Sequence, residues 1–397
     1  MRIAIIGTYT PRQCGIATFT HDLYHALPVE QQQHHAVIAI SDGTEASFPE
    51  EVCFVVERNE KQQYIQAAAY INEHFDVCVI QHEYGIFAGD AGNYILTLTE
   101  KLQIPVVSNL HTVLEKPNAM ELETLKLLCD SSQAVTVMTA KAVSLLQSVF
   151  HVPAVKIHCI PHGVPIFDYH QQDAKARLGL VGKNVMLSFG FLGRNKGIET
   201  AIEAVEQVQD PNFVYLVLGS THPNVLREEG DVYRDFLHHK IEEKGLHDRV
   251  QLINTFASES LLIEYLTACD IYVTPYPNEN QISSGTLSFA IGAGAAVLST
   301  PYWYAKDLLA NERGLLFDFN DSQALAGHIN MLLDDPLALA KYRRNAAAYG
   351  RLTSWPNVGR SYYELLKQSA IKTIAINKSV NQNVANLFPA NSSRLSS

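Results

Sequence analysis

The stretch RIAIIGTYTPRQCGIATFTHDL, residues 2–23, joins a short apolar run to a glycine-bearing loop and then to an amphipathic segment. In the amphipathic segment Ile16, Phe19 and Leu23 fall on one helical face, as does Leu27. The apolar run shows no polar alternation, which is typical of a strand buried on both faces of a parallel sheet. The stretch therefore predicts a strand, a loop and a helix over residues 16–27, the repeating unit of a doubly wound α/β domain.

The same unit recurs along the chain, with a break near the middle. Predicted strands lie at 2–7, 35–41, 52–56, 76–81, 105–110, 134–139 and 156–161, and again at 185–191, 213–220, 250–256, 270–276 and 295–301. Predicted helices alternate with them, at 61–74, 92–102, 119–129 and 140–148, and then at 197–207, 231–244, 258–268, 285–293, 322–334 and 336–349. The pattern predicts an α/β fold of two Rossmann-like doubly wound domains that face a central cleft. Ligands of such sheets bind outside the carboxyl ends of the strands.

The 397 residues suit two domains of ordinary size. We predict an N-terminal Rossmann-like domain over 1–168 and a C-terminal one over 169–350, joined across the polar stretch DYHQQDAKARLG. A further helix over 351–370 is expected to pack back on the N-terminal domain. Residues 371–397 are rich in Asn and Ser and are expected to form a disordered tail.

Charge and cysteine content exclude several classes of protein. The net charge is −11, and residues 1–100 hold 13 Asp and Glu against 4 Lys and Arg. Nucleic-acid binding and stable attachment to anionic membranes both call for a basic surface, so we expect neither. The six cysteines show no C-x-x-C pair, which predicts free thiols in the reducing cytoplasm. No secretion signal or membrane span is predicted, and oligomeric state is left open.

The loop between the first strand and helix carries Gly15. The dinucleotide fingerprint G-x-G-x-x-G is absent. A glycine at a helix start still lets the backbone approach an anion or a sugar closely. Gly15 is therefore a candidate donor- or phosphate-binding residue, and a simple tight connection is the alternative.

The segment FGFLGRNKGIETAIEA, residues 189–204, places Lys196 at a strand end just before a helix, with Arg194 beside it. Helix N-termini favour acidic residues, so a lysine there needs another explanation. A cation that projects into the cleft would stabilise the charge that grows on a leaving phosphate. A solvated lysine at a helix start is the alternative.

The segment YPNENQISSGTLSFAIGAGAAVLSTPYWYAKDLL, residues 276–309, runs from a strand through a polar loop into a helix that begins near Gly285. Unbonded backbone N–H groups of Ser284, Gly285 and Thr286, with the Ser283 hydroxyl, could cradle a phosphate. Ser283 and Thr286 could equally serve as N-caps.

Over residues 1 to about 368 the chain resembles the group 1 (family 4) retaining glycosyltransferases, which have the GT-B fold. The family's second domain carries G-R-x-x-x-x-K-G, and Lys196 matches its lysine, whereas Phe191 occupies the arginine position. In the later E-G-F-G-L-P-x-x-E-A motif, Gln281 occupies the first glutamate position and Phe289 the second. The family's first glutamate binds donor-sugar hydroxyls and its second binds the ribose, so Phe289 weakens the prediction of a nucleotide. The segment SGT, residues 284–286, also resembles a segment of glycogen phosphorylases, although the match is offset by one residue.

The resemblance implies further roles. It places His111 near the donor sugar, with a capped loop histidine as the alternative, and His82 and Glu83 on the acceptor side. It makes Gln281 a donor-sugar ligand, and Glu279 is the nearest carboxylate that could replace the lost ribose ligand. His162 is expected to shape the linker between the domains. No cofactor is expected, and the His82–Glu83 pair lacks the H-E-x-x-H spacing of a zinc site.

Three functions follow as hypotheses. The first is a retaining, metal-independent hexosyltransferase. It transfers a hexosyl group from a nucleotide sugar to a soluble hydroxyl acceptor, and its catalytic residues are Lys196, Arg194 and His111. The second is a retaining glycoside phosphorylase that uses inorganic phosphate or a sugar 1-phosphate in the same cradle. The third is a non-catalytic sugar- or nucleotide-binding protein of the same fold.

Overall fold

The computed structural model of the protein describes residues 1–28, 35–168 and 170–387, apart from the side chains of residues 224 and 372–387. The described residues form two parallel sheets, each covered by helices on both faces. The strands are β1 (Ile3–Gly7), β2 (His35–Ser41), β3 (Val52–Glu57), β4 (Val77–His82), β5 (Val106–Leu110), β6 (Ala134–Val137), β7 (Ile157–Cys159), β8 (Asn184–Phe189), β9 (Phe213–Leu218), β10 (Val250–Ile253), β11 (Ile271–Thr274), β12 (Ala296–Ser299) and β13 (Gly314–Leu316).

The α-helices fall between these strands and after the last one. They are α1 (Gly15–Ala26), α2 (Lys61–His74), α3 (Tyr94–Thr99), α4 (Ala119–Ser131), α5 (Ala140–Ser148), α6 (Gln171–Arg177), α7 (Ile198–Val205), α8 (Pro223–Glu229), α9 (Val232–Glu243), α10 (Glu259–Ala268), α11 (Gly285–Gly292), α12 (Trp303–Leu308), α13 (Ser322–Asp334), α14 (Pro336–Leu352) and α15 (Trp355–Leu387). The predicted fold class, two doubly wound α/β domains, is confirmed.

The strand order places the cleft. It is β3-β2-β1-β4-β5-β6-β7 in the N-terminal sheet and β10-β9-β8-β11-β12-β13 in the C-terminal sheet, so each order reverses at the first strand of its domain. Loops that leave neighbouring strands on the two sides of such a point diverge and leave a crevice for a ligand. The loop after β1 leads to Gly15, the first residue of α1, and Glu83 directly follows β4. The segments after β8 and β11 carry Lys196 and residues 276–284.

The chain passes between the domains twice, side by side. Val164 on the outward crossing pairs with Ser354 on the return, and the Val164 N–H donates to the Thr353 carbonyl at 3.0 Å. The Trp355 indole covers Gly163 so closely that a Cβ at Gly163 would lie 2.2 Å from the ring. The two crossings are therefore locked to each other.

After the return crossing, α15 packs on the N-terminal domain. Gly359 lies against the backbone of Ala26 in α1, and the Tyr362 hydroxyl donates to Asn109 Oδ1 of β5 at 3.0 Å. The helix continues to Leu387, beyond residue 370, where the sequence predicts a tail to begin. Residues 388–397 of that predicted tail lie outside the described residues.

Helix α6 lies inside the stretch that the sequence presents as a polar linker. Its polar side chains converge on the buried Asp270: Lys175 Nζ lies 2.6 Å from one carboxylate oxygen, and Gln171 Nε2 lies 2.9 Å from the other. The N–H of Val185 donates to the same carboxylate at 2.8 Å. The sequence did not predict this helix, because α6 is anchored by a buried ion pair and shows no apolar stripe.

The structure also bears on the predictions for short elements, cysteines and membrane spans. The short elements α8, α12 and β13 were not predicted, because runs this brief carry no clear periodicity. All six cysteines are free thiols. Among the described residues, no helix is both long enough and apolar enough to span a membrane.

Asp270→Ala is predicted to destabilise the protein strongly, because it leaves the buried Lys175 ammonium without its counter-ion. Loss of one partner of a buried pair costs about 3–5 kcal/mol. The control is Glu264→Ala, which breaks the more exposed pair with Arg177 and should cost less than about 1 kcal/mol. Thermal and urea unfolding measure both, and equal effects would contradict this account of α6.

Candidate active site

A cavity of about 390 Å³ opens between the two sheets. The N-terminal domain contributes His111 and Thr112 from the loop after β5. The C-terminal domain contributes the rest of the lining, which is Asn195, Lys196, Tyr276, Asn278, Asn280, Gln281, Ile282 and Ser283. Both domains thus build one site at the carboxyl ends of their strands.

Lys196 is held in place by Tyr276. Its ammonium lies 3.2 Å from the Tyr276 hydroxyl and 4.4 Å from the centre of the ring. Burial alone would raise the pKa of the Tyr276 phenol, but Lys196 and neighbouring hydroxyls outweigh burial and lower it below 10.0. Gly197 ends the turn with φ 61°, and a Cβ there would lie 2.1 Å from the Pro275 carbonyl oxygen. Only glycine fits this turn, which sets where Lys196 enters the cleft.

The N-terminus of α11 lies beside this lysine. The Tyr276 hydroxyl is 3.1 Å from Thr286 Oγ1, which is 3.1 Å from Ser284 Oγ. Ser284 is the N-cap, because its hydroxyl accepts from the Leu287 N–H at 3.3 Å. The first N–H groups of a helix have no partner within it, so those at Gly285 and Thr286 can bind an anion.

Ser283 joins the two walls of the cleft. Its hydroxyl donates to the His111 carbonyl at 2.9 Å, and its own carbonyl accepts from Gln281 Nε2 at 2.9 Å. The N-cap therefore falls on Ser284, while the predicted N-cap Ser283 contacts the opposite domain. The loop and the His111 segment form a continuous rim.

His111 is set by a buried polar network. Asn109 Oδ1 accepts from the hydroxyls of Thr136 and Tyr362, so its Nδ2 faces Gln81 and donates to Gln81 Oε1 at 2.7 Å. His111 Nε2 lies 2.9 Å from the same Gln81 oxygen and 3.1 Å from Asn109 Nδ2. Burial lowers the pKa of His111 to about 3, so the ring is neutral at physiological pH.

Glu83 lies just behind the cleft. One carboxylate oxygen accepts from the Tyr84 N–H at 3.1 Å, and the other accepts from the Thr112 hydroxyl. Burial raises the pKa of Glu83, although these hydrogen bonds oppose the rise. Glu83 thus reaches the cavity through Thr112.

His82, the last residue of β4, is fully buried, and neither ring nitrogen has a hydrogen-bond partner among the described residues. The ring lies between Tyr84 and Phe87, at centroid distances of 5.1 and 6.1 Å. Burial lowers its pKa to about 4. The structure therefore buries His82 beneath the loop that follows β4, and His82 does not line the cavity.

Comparison with known families decides the family. The model described as "Glycosyl transferases group 1" matches residues 170–353, and "Glycosyltransferase Family 4" matches residues 14–166. The chain belongs to the group 1, family 4 glycosyltransferases. The predicted resemblance is confirmed.

Solved structures with the same fold include other glycosyltransferases. HepE from Anabaena in complex with UDP shares 18% identity with this chain at a TM-score of 0.75, covering 93% of this chain and 100% of HepE. Sucrose-phosphate synthase from Thermosynechococcus elongatus shares 18% identity at a TM-score of 0.75, covering 93% and 98% of the two chains.

Curated relatives match over a shorter length. A GDP-mannose:glycolipid 4-beta-D-mannosyltransferase from Xanthomonas campestris pv. campestris is 24% identical over 184 residues, which is 45% of this chain and 47% of the relative. The lipopolysaccharide core biosynthesis mannosyltransferase LpcC from Rhizobium leguminosarum bv. viciae is 25% identical over 198 residues, 48% and 54% of the two chains. The match thus spans about half the length of these relatives.

This glycosyltransferase departs from the family motif where the sequence indicates. Phe289 is buried, and its ring lies 5.9 Å from His162 and 6.3 Å from Phe189, so it packs beside the interdomain linker. Phe191, at the arginine position, stacks on Phe256 at 5.4 Å. Both family positions therefore hold aromatic packing in place of charge.

Other predicted site residues lie outside the cavity lining. The Arg194 guanidinium stands over Tyr233 and Phe236 of α9, at 5.9 and 5.6 Å, so the structure does not bring it to Lys196. Glu279 is exposed, with its carboxylate 3.8 Å from the Lys306 ammonium. Gly15 is exposed at the first position of α1 and does not line the cavity.

Sequence reasoning missed Tyr276, Thr112 and the asparagines at 195, 278 and 280. Tyr276 reads as the end of an apolar strand, and Thr112 as part of a histidine loop. The asparagines flank the motifs and could have been found as polar residues at strand ends. The contact between Lys196 and Tyr276 joins residues 80 positions apart, which no local pattern indicates.

Protonation of His82 is predicted to make stability fall at acidic pH. Below about pH 6.5 the unfolded chain binds a proton at this residue that the folded chain binds only near pH 4, so the free energy of unfolding falls across that window. The slope from one such group is at most about 1.4 kcal/mol per pH unit. Unfolding measured from pH 7 to 4 should depend less on pH in His82→Leu, and an unchanged slope would contradict this.

Proposed function

We propose that this protein is a retaining, metal-independent hexosyltransferase that moves a hexosyl group from a nucleotide sugar to a hydroxyl acceptor. The observation that carries the proposal is the position of Lys196 in the lining of the interdomain cavity, where the Tyr276 hydroxyl connects it to Thr286 at the N-terminus of α11. A cation and unbonded N–H groups together suit a phosphate. Family membership supports glycosyl transfer as the reaction.

The chemistry assigned to this wall is stabilisation of the leaving group. As the bond from the anomeric carbon to the phosphate oxygen breaks, negative charge grows on the phosphate. This charge would be stabilised by Lys196 and by the N–H groups of Gly285 and Thr286. These groups need not rearrange, because Tyr276 and the Ser284 cap already hold them. Preorganised donors of this kind supply a large share of enzymatic rate enhancement.

Retention of configuration is supported by the side chains around the cavity. Of the described residues that line it, none carries a carboxylate that could attack the sugar. In a same-face mechanism the acceptor hydroxyl passes its proton to the departing phosphate, so no protein nucleophile is needed. An inverting reaction would require a base, and the carboxylate of Glu83, which lies behind Thr112, is engaged by Thr112 and Tyr84.

A nucleotide sugar is the favoured donor. The curated relative from Xanthomonas is named for GDP-mannose, and HepE, of the same fold, is described in complex with UDP. Phe289 argues for the second candidate, a phosphorylase, because a buried phenyl ring cannot bind a ribose and Glu279 faces Lys306. In that reaction inorganic phosphate would occupy the Ser284–Thr286 cradle.

The deciding experiment supplies nucleotide sugars and sugar 1-phosphates to the enzyme with a panel of hydroxyl acceptors. Release of nucleoside diphosphate with the donor's anomeric configuration kept, followed by NMR, is the expected result. Phosphate release from a sugar 1-phosphate, with every nucleotide sugar silent, would favour the phosphorylase. Ligand binding without turnover would favour a non-catalytic protein, and an inverted product would contradict retention.

Lys196→Ala is predicted to lower kcat by roughly 10²–10³-fold, since one charge partner of the leaving phosphate is lost. Stability should change little, because the lysine is only half-buried. Lys341→Ala, which removes an exposed partner of Glu312, is the control and should keep wild-type turnover. A folded Lys196→Ala protein with near-normal kcat would refute the assignment.

Activity is predicted to survive removal of divalent cations, because Lys196 and backbone N–H groups supply the positive charge. Among the described residues no group of three or more His, Cys, Asp or Glu could hold a metal ion. Turnover measured in EDTA should match that in Mg²⁺ or Mn²⁺. Loss of turnover in EDTA with recovery on adding either ion would contradict this.

A further inference from the structure

The hydroxyl of Thr112 has a fixed direction. Glu83 and Thr112 follow adjacent parallel strands, β4 and β5, so their side chains meet at one edge of the sheet. The Thr112 hydroxyl donates to one oxygen of Glu83. The Tyr84 N–H occupies the other oxygen at 3.1 Å. An ionised carboxylate can only accept hydrogen bonds, so the proton of Thr112 is committed to Glu83.

Thr112 also lines the cavity and belongs to the N-terminal domain, whereas Lys196 belongs to the C-terminal domain. Because its proton is donated to Glu83, the Thr112 hydroxyl can only accept a hydrogen bond from a ligand. The C-terminal side of the lining includes the Lys196 ammonium, which can only donate hydrogen bonds. The cavity therefore has one group fixed as an acceptor on its N-terminal side and one group fixed as a donor on its C-terminal side.

We propose that Glu83 fixes the polarity of Thr112, so that the N-terminal wall of the cleft recognises a bound sugar by accepting a hydrogen bond from one of its hydroxyls. Thr112 is then a specificity-determining residue, and Glu83 is the residue that positions its proton. The ligand class is a neutral sugar with a free hydroxyl at the position that faces Thr112. This inference rests on the proposed function, because it takes the cavity to be a sugar site.

The fixed direction of the Thr112 hydroxyl distinguishes between ligands of the same shape that differ in their hydrogen-bonding groups. A hydroxyl can donate to Thr112, whereas fluorine of similar size, an ether oxygen or a carboxylate cannot. A site built to pair with a substrate hydroxyl leaves its own polar group unpaired when an analogue lacks that hydroxyl. Replacing the hydroxyl by fluorine should therefore weaken binding, although the space is still filled.

Binding is measured by titration calorimetry, so the readout does not depend on turnover. The probes are UDP-glucose and GDP-mannose and their monodeoxy and monodeoxyfluoro analogues at C2, C3, C4 and C6 of the hexose. A second arm titrates methyl glucoside and methyl mannoside, with the matching analogues, into protein saturated with the nucleoside diphosphate. The first arm reports a hydroxyl of the transferred sugar and the second a hydroxyl of the acceptor.

The wild type should prefer hydroxyl to fluorine at one ring position by about 10-fold, the size expected from one hydrogen bond. Glu83→Gln is the decisive variant. Because the Tyr84 N–H holds the amide oxygen, the amide nitrogen of the new glutamine would face Thr112 and donate to it. The Thr112 proton would then turn to the cavity, and the preference for hydroxyl should fall to near unity or reverse.

Thr112→Ser should keep the preference and Thr112→Val should lose it. Glu100→Gln, an exposed change after α3, is the matched control and should behave as wild type. Equal hydroxyl-to-fluorine ratios in wild type and Glu83→Gln would overturn the inference, as would a wild type that discriminates at no position or binds no probe. Discrimination in binding without any sugar transfer would support the inference and refute the proposed function.

Discussion

The paired crossing of the chain between the domains fixes how the two sides of the cleft are placed relative to each other. The hydrogen bonds between Val164 and residues 353–355, closed by Trp355 over Gly163, hold the outward and return segments together. The outward segment carries His162, whose ring lies 5.1 Å from Phe19 of α1 and 5.9 Å from Phe289 of α11. One aromatic cluster thus spaces the first helix of one domain from the site helix of the other.

This constraint explains why Phe289 is compatible with the fold although it departs from the family motif. A carboxylate at that position would be buried among rings beside the linker, where an unpaired charge is costly. The aromatic side chain packs at the junction, and the proposed function assigns recognition of a donor to Lys196, the α11 N-terminus and the His111 rim.

The sequence predicted the sheets well because buried parallel strands are continuous apolar runs; the run at 35–41 coincides with β2. It also pointed to Lys196 and Ser283, which line the cavity, and to residues 284–286, which begin α11, because each is unusual at a strand-to-helix junction. It could not place Arg194, whose stacking on Tyr233 depends on the packing of α9. Nor could it show that His82 is buried while Glu83, one residue on, reaches Thr112, because alternation along a strand end is set by the neighbouring strands.

The central claim is that Lys196 acts on the charge of the leaving group. The most direct measurement is the loss of kcat/KM caused by Lys196→Ala across donors that carry the same sugar on leaving groups of increasing acidity, from a nucleoside diphosphate to a dinitrophenol. The account predicts a loss of roughly 10²-fold or more for the nucleotide sugar. It also predicts a loss that shrinks toward unity for the aryl glycoside, which needs no cation to depart. A loss of the same size for every donor would contradict it.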